Sequence, residues 1–155
     1  MNKIQGNPLS VFIILLLFIV VLIQVSCKKE DNNNEVDVGY VNIAIDPNST
    51  QYLELNTVGG WLYLTANPPS RGIIVYRFSQ DQFMAYERTP PSSPNECCKE
   101  NGVCTRLIVD NPFVVDTCLS YDYLILDGSP QAPATKMLVT YQTYYDGSVL
   151  RITNY

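Results

Sequence analysis

An all-β fold is predicted for this chain, a small antiparallel sandwich or barrel forming a single domain behind a signal peptide. Short stretches rich in Val, Ile, Thr and Tyr recur between Pro-, Gly- and Asn-containing breaks, and no segment carries the 3.6-residue apolar stripe of a helix. Pro90, Pro91 and Pro94 crowd together, as they do in loops rather than in central strands. Asp146-Gly147 supplies a two-residue hairpin signal between Tyr144-Tyr145 and Val149-Leu150, because such turns need positive φ at low cost.

Strands are expected, in order, over Tyr40–Ile45, Trp61–Leu64, Gly72–Phe78, Phe83–Glu87, Arg106–Val109, Tyr121–Leu126, Met137–Tyr144 and Val149–Ile152. Each is a short run of β-branched or aromatic residues ended by a breaker. Asn101-Gly102 offers a second hairpin.

Ahead of these strands the chain has a different character. Lys3 gives a small positive start, and Val11 to Ile23 is an unbroken apolar run of 13 residues, long enough for a leader and short of the ~20 needed to span a bilayer. Gln24-Val25-Ser26-Cys27 follows. The small Ser26 gives a peptidase access to the Ser26–Cys27 bond, and the Cys27 thiol can carry a diacylglycerol. The segment resembles a bacterial lipobox, with Gln24 where an aliphatic residue is usual. Residues 1–26 are thus expected to be a lipoprotein signal peptide, 27–39 the lipidated cysteine and a solvated tether, and 40–155 the β domain. Lys28-Lys29-Glu30-Asp31 and the Asn run after it have too little apolar surface to order themselves. They resemble the tether of Gram-negative lipoproteins sent to the outer membrane, on its periplasmic or surface face.

Loss of the leader removes one cation, leaving 9 basic against 15 acidic residues. That surface disfavours nucleic acid and anionic headgroups, so the partner expected from the N-terminus is the membrane, reached through lipid. A protein or glycan partner stays open.

Three stretches carry a further resemblance: Gly72–Thr89 (GIIVYRFSQDQFMAYERT), Leu126–Leu138 (LDGSPQAPATKML), and Tyr141 with Asp146–Ile152 (DGSVLRI). Together they resemble a Rieske-type domain over roughly Tyr40 to Tyr155. In that family one strand carries I-V-Y-R, the next ends in Y-x-R-T before the first ligand loop, and G-x-P…G-P-A…P-L…Y follows the second. The resemblance implies the Rieske-like sandwich. It also implies where the ligands of the [2Fe–2S] cluster would stand. Pro90 falls at the first Cys position, Pro91 at the usual middle proline and Ser92 at the first His position. Cys118 or Leu119 falls at the second His position. The glycine usual between Ala132 and Pro133 is missing. The family cluster takes two thiolates on one iron and two imidazoles on the other. This chain contains no histidine, so that centre cannot assemble. Serine–histidine and cysteine–histidine nucleophiles, histidine-ligated haem and histidine zinc sites fall with it.

Cys97, Cys98, Cys104 and Cys118 form an even set in an exported domain, which favours two disulfides. The Asn101-Gly102 hairpin brings Cys97 or Cys98 back toward Cys104 and leaves the other for Cys118. Two pairings stay open: Cys97–Cys104 with Cys98–Cys118, or Cys98–Cys104 with Cys97–Cys118. By the resemblance, the bond to Cys118 joins the two former ligand loops and replaces the cluster as their clamp. No cofactor is then expected. The alternative is a [2Fe–2S] cluster on these four thiolates, although C-C-x5-C-x13-C lacks the paired C-x-x-C knuckles that present thiolates to one metal.

Eleven tyrosines follow the tether, among them Tyr121, Tyr123, Tyr141, Tyr144, Tyr145 and Tyr155. They are expected to be mainly cross-strand partners, with a glycan platform as the functional option. Trp61 is expected in the core. Asp110, Asp116, Asp122 and Asp127 are expected in turns and solvated faces, with an acid–base pair as the option. Three functions follow: a cluster-less binding or structural lipoprotein, which is preferred; an electron-transfer protein with thiolate-ligated iron; and a carboxylate hydrolase, for which no motif is present.

Overall fold

A computed structural model describes residues 36–155 of the chain. Cys27, expected to accept lipid, the expected leader and most of the expected tether lie outside them. The described residues form three small antiparallel sheets and hold no helix long and apolar enough to cross a membrane.

The middle sheet pairs β2 (Trp61–Leu64), β3 (Ile73–Arg77) and β4 (Phe83–Glu87) in that order. Every residue of β3 is buried. Side chains alternate across a strand, so both faces must be covered. Ile73 and Val75 enter one core with Phe83, Ala85, Tyr141, Leu150 and Ile152. Ile74 and Tyr76 enter the other with Tyr86, Leu107, Val114, Tyr123 and Ile125. The first core is closed by β1 (Asn42–Ile45), β8 (Gln142–Tyr145) and β9 (Leu150–Thr153), with β9 central. The second is closed by β5 (Ile108–Asp110), β6 (Phe113–Asp116) and β7 (Tyr121–Leu124), with β6 central. β4 also reaches the residues leading into β8: Tyr141 N–H donates to Ala85 O at 2.9 Å and Glu87 N–H to Val139 O at 2.9 Å.

The all-β expectation holds, and the element bounds shift. Met137–Tyr144 is not one strand. Main-chain bonding is interrupted there: Leu138 N–H turns back to Gly128 O and Thr140 makes a lone bridge to Tyr86, so the strand begins at Gln142. β6 was not expected. It pairs with β5 through Asp110 opposite Phe113, leaving Asn111-Pro112 as the turn, and a proline there reads as the end of structure although a strand restarts immediately after it. The turn before β9 is displaced by one residue. Asp146 N–H donates to Val149 O, and Gly147, with φ of 96°, is the first of the two central residues. Asp146 Oδ1 accepts from Ser148 N and Val149 N, which explains why the acid precedes the glycine.

A 3-10 segment, Thr50–Asn56, was likewise not expected. Only Leu55 of it is buried, too few apolar positions to give a stripe. Arg77, itself buried, fastens it to the middle sheet. Its guanidinium donates to Leu55 O at 2.8 Å, Asn48 Oδ1 at 2.9 Å and Gln80 O at 2.7 Å, and lies 5.1 Å from the Phe83 ring centre. Arg77→Met leaves these acceptors without a donor and is expected to lower stability by about 2 kcal/mol in urea denaturation.

Candidate functional site: two loops held by disulfides

The sequence-derived ligand positions lie on two loops at one end of the middle sheet. The first loop leaves β4 and returns at Leu107. Its neck is closed by Leu107 N–H donating to Arg88 O at 2.7 Å, and by Arg88 N–H donating to Gly72 O at 2.9 Å. The second is the β6–β7 turn, Thr117 to Ser120, where Ser120 takes φ of 57° and Cys118 N–H donates to Asp116 Oδ1 at 2.9 Å.

Cys97 is bonded to Cys118 with Cα atoms 5.9 Å apart, and Cys98 to Cys104. This is the second of the two pairings open from the sequence. The Cys98–Cys104 bond closes the Asn101-Gly102 hairpin, in which Gly102 has φ of 79° and Lys99 N–H donates to Val103 O. The Cys97–Cys118 bond ties the first loop to the second. Pro90 and Pro91 are buried, and Ser92 is half-buried with Cys118 and Leu119.

At the root of the first loop stands Glu87, fully buried. Its carboxylate accepts from Ser70 Oγ at 2.5 Å, Tyr141 OH at 2.5 Å, Arg71 N at 2.8 Å, Thr89 N at 2.9 Å and Thr89 Oγ1 at 2.6 Å. Five donors fill the carboxylate's roughly four lone-pair sites, and they converge from the residues just before β3, the residues just after β4 and the segment before β8. The Tyr141 phenol is raised by burial and by its bond to Glu87, so it stays protonated as a donor. Glu87 was not singled out by its sequence context. The only signal was an acid inside an otherwise buried strand.

Arg71 continues the frame outward. Its guanidinium donates to Thr105 O at 3.0 Å and Asn95 Oδ1 at 3.1 Å, and approaches Cys98 Sγ at 3.7 Å. Arg88 donates to Leu107 O at 3.0 Å and stacks over Tyr63, 3.7 Å from the ring centre. Both sides of the first loop therefore hang from arginines.

Behind the second loop, Asp116 and Tyr123 are fully buried, and Asp116 Oδ2 and Tyr123 OH have no hydrogen-bond partner. Burial raises the Tyr123 phenol, and Asp116 adds to the rise. Gly128, with φ of 74°, lies against Tyr86. A Cβ there would meet the Tyr86 ring at 2.9 Å, so the segment after β7 needs glycine at this point. Tyr86 OH donates to Ile125 O at 3.0 Å from the same place. The Ala132–Pro133 peptide is cis.

The donor set does not fit a [2Fe–2S] cluster. The four cysteines of the described residues are paired with one another, imidazole is absent from the sequence, and no group of three or more Cys, Asp or Glu side chains among the described residues could hold a metal ion. The four aspartates do not converge. Asp110, Asp122 and Asp127 are exposed, whereas Asp116 is buried on the strand opposite Asp122, one register step away and on the other face. The tyrosines divide: Tyr123 and Tyr141 are core, and Tyr40 and Tyr155 form an exposed stacked pair, 5.3 Å between centres. Trp61 is half-buried and packs against the second core.

No family model matches the chain, and no curated relative is found. A solved structure that aligns with it is the putative NADH-dependent nitrite reductase small subunit from Mycobacterium tuberculosis, 12% identical, with 76% of this chain and 97% of that chain covered at a TM-score of 0.44.

Proposed function

We propose that the chain is a lipid-anchored lipoprotein of the Gram-negative outer membrane whose Rieske-like domain serves as a binding or structural module without a cluster. The observation that carries the second half of this reading is the Cys97–Cys118 bond between the two loops, the first of which begins at buried Pro90 and Pro91. A disulfide restrains the loops by limiting the unfolded chain and offers no electron-transfer centre. The five-donor Glu87 knot and the Arg71 and Arg88 anchors supply stiffness that a cluster would otherwise give. The first half rests on the leader, Ser26-Cys27 and the polar tether.

Two measurements on the full chain expressed in a Gram-negative host separate these halves. Labelled palmitate is expected to enter the wild-type protein and not Cys27→Ser, which should leave the membrane fraction. An unlabelled wild-type protein would refute the anchor alone. The purified protein is expected to be colourless and iron-free. Visible absorption with about two irons per chain would instead favour the thiolate-cluster alternative.

A further inference from the structure

We propose that a recess beside the Cys98–Cys104 hairpin binds a phosphate group. The recess measures about 380 Å³ and is lined by Pro69, Ser70, Arg71, Gly102, Cys104 and Arg106, with Val103 beside them. Two arginines therefore line one concavity.

Charge makes the placement informative. Between residues 36 and 155, seven Lys and Arg stand against twelve Asp and Glu. An acidic domain has little reason to gather its few cations, because like charges repel across short distances. Three of the seven nevertheless meet at this edge. Arg71 and Arg106 line the recess, and Arg88 lies near enough to feel the charge of Arg106. The crowding is felt by the side chains themselves. Burial lowers the Arg71 guanidinium from its ordinary value, Glu87 opposes this and Arg106 adds to the fall. For Arg88 burial again leads, Tyr63 opposes it, and Arg106 adds to the fall.

Glu87 does not settle this charge by direct contact. It takes the main-chain N–H of Arg71, not the guanidinium, and its remaining bonds come from hydroxyls and Thr89 N. The Arg71 guanidinium points at neutral acceptors, Thr105 O, Asn95 Oδ1 and Cys98 Sγ. A guanidinium carries five N–H donors, so two are left free by these three contacts, which also fix the plane of the group. Glu96 and Glu100, the carboxylates of the hairpin, do not line the recess. Paired Arg forks match the oxygens of a phosphate group. The hairpin wall is fixed by its disulfide, so little ordering is required on binding.

The site involves neither Cys27 nor iron, and it stands or falls separately from the lipoprotein reading. The full chain is titrated calorimetrically with inorganic phosphate, and with glycerophosphoglycerol as a soluble lipid-headgroup mimic, at constant ionic strength against chloride. Saturable binding is expected, with a rise in melting temperature. Arg106→Gln, an exposed change that leaves the Arg71 contacts in place, should weaken binding about tenfold, whereas Arg151→Gln on β9 should not. Binding of phosphate alone identifies a free anion, and binding of the diester identifies a headgroup; either supports the site. No saturable binding by either ligand, or binding that Arg106→Gln leaves unchanged, would overturn it.

Discussion

Glu87→Ala is expected to destabilise the domain by about 3–5 kcal/mol, enough to lower the melting temperature by more than about 10 °C. Two effects combine. The substitution strands the Tyr141, Ser70 and Thr89 hydroxyls and two main-chain N–H groups, all aimed at a carboxylate that is fully buried. It also leaves a cavity between β4 and the segment entering β8. Glu87→Gln keeps the volume but turns one end of the acceptor into a donor facing donors, so it should cost less than alanine and still be measurable in urea. Equal stability for wild type and both variants would mean that the knot contributes no net stabilisation.

The double change Cys97→Ser with Cys118→Ser is expected to lower stability by about 3 kcal/mol, since the bond closes a segment of sequence separation 21. The matching pair at Cys98 and Cys104 closes a separation of only 6 and should cost about 1 kcal/mol less. The two doubles should also differ in location. Loss of the Cys97–Cys118 bond should raise hydrogen exchange at Cys118 N–H and along the β6–β7 turn, whereas loss of the hairpin bond should raise it near Lys99 and Gly102, whose hydrogen bonds lie inside that hairpin. A larger cost for the hairpin pair would place the main restraint there and not between the loops.

Much of the architecture was legible because β3 is so plainly a buried strand. Ile73 to Tyr76 is a continuous apolar run, which requires cover on both faces and hence more than one packed sheet. The four cysteines and the Asn101-Gly102 turn narrowed the disulfides to two pairings. Adjacency of Cys97 and Cys98 then hid the answer, because a strand-like register decides which thiol faces Cys104, and the Cys98–Cys104 bridge supplies that register only in three dimensions. β6 was illegible because Pro112 sits in a two-residue turn, where it ends one strand and immediately begins another. The 3-10 segment gave no signal, being fastened by one leucine and by an arginine 22 positions away from it in sequence. Glu87 and the arginine edge were missed for a shared reason. Their meaning lies in partners drawn from loops distant along the chain, and single charged residues in a strand or a loop are indistinguishable from solvated ones until those partners are in place.

The most direct test of the proposal that disulfides, and not a cluster, hold the two loops is a map of the cysteines in protein purified without reductant. Tryptic cleavage leaves Cys97 and Cys98 on one peptide, so fragmentation must split the amide between them. The expected result is Cys97 linked to Cys118 and Cys98 linked to Cys104, with no alkylatable thiol among the four. Four free thiols accompanied by stoichiometric iron would contradict it.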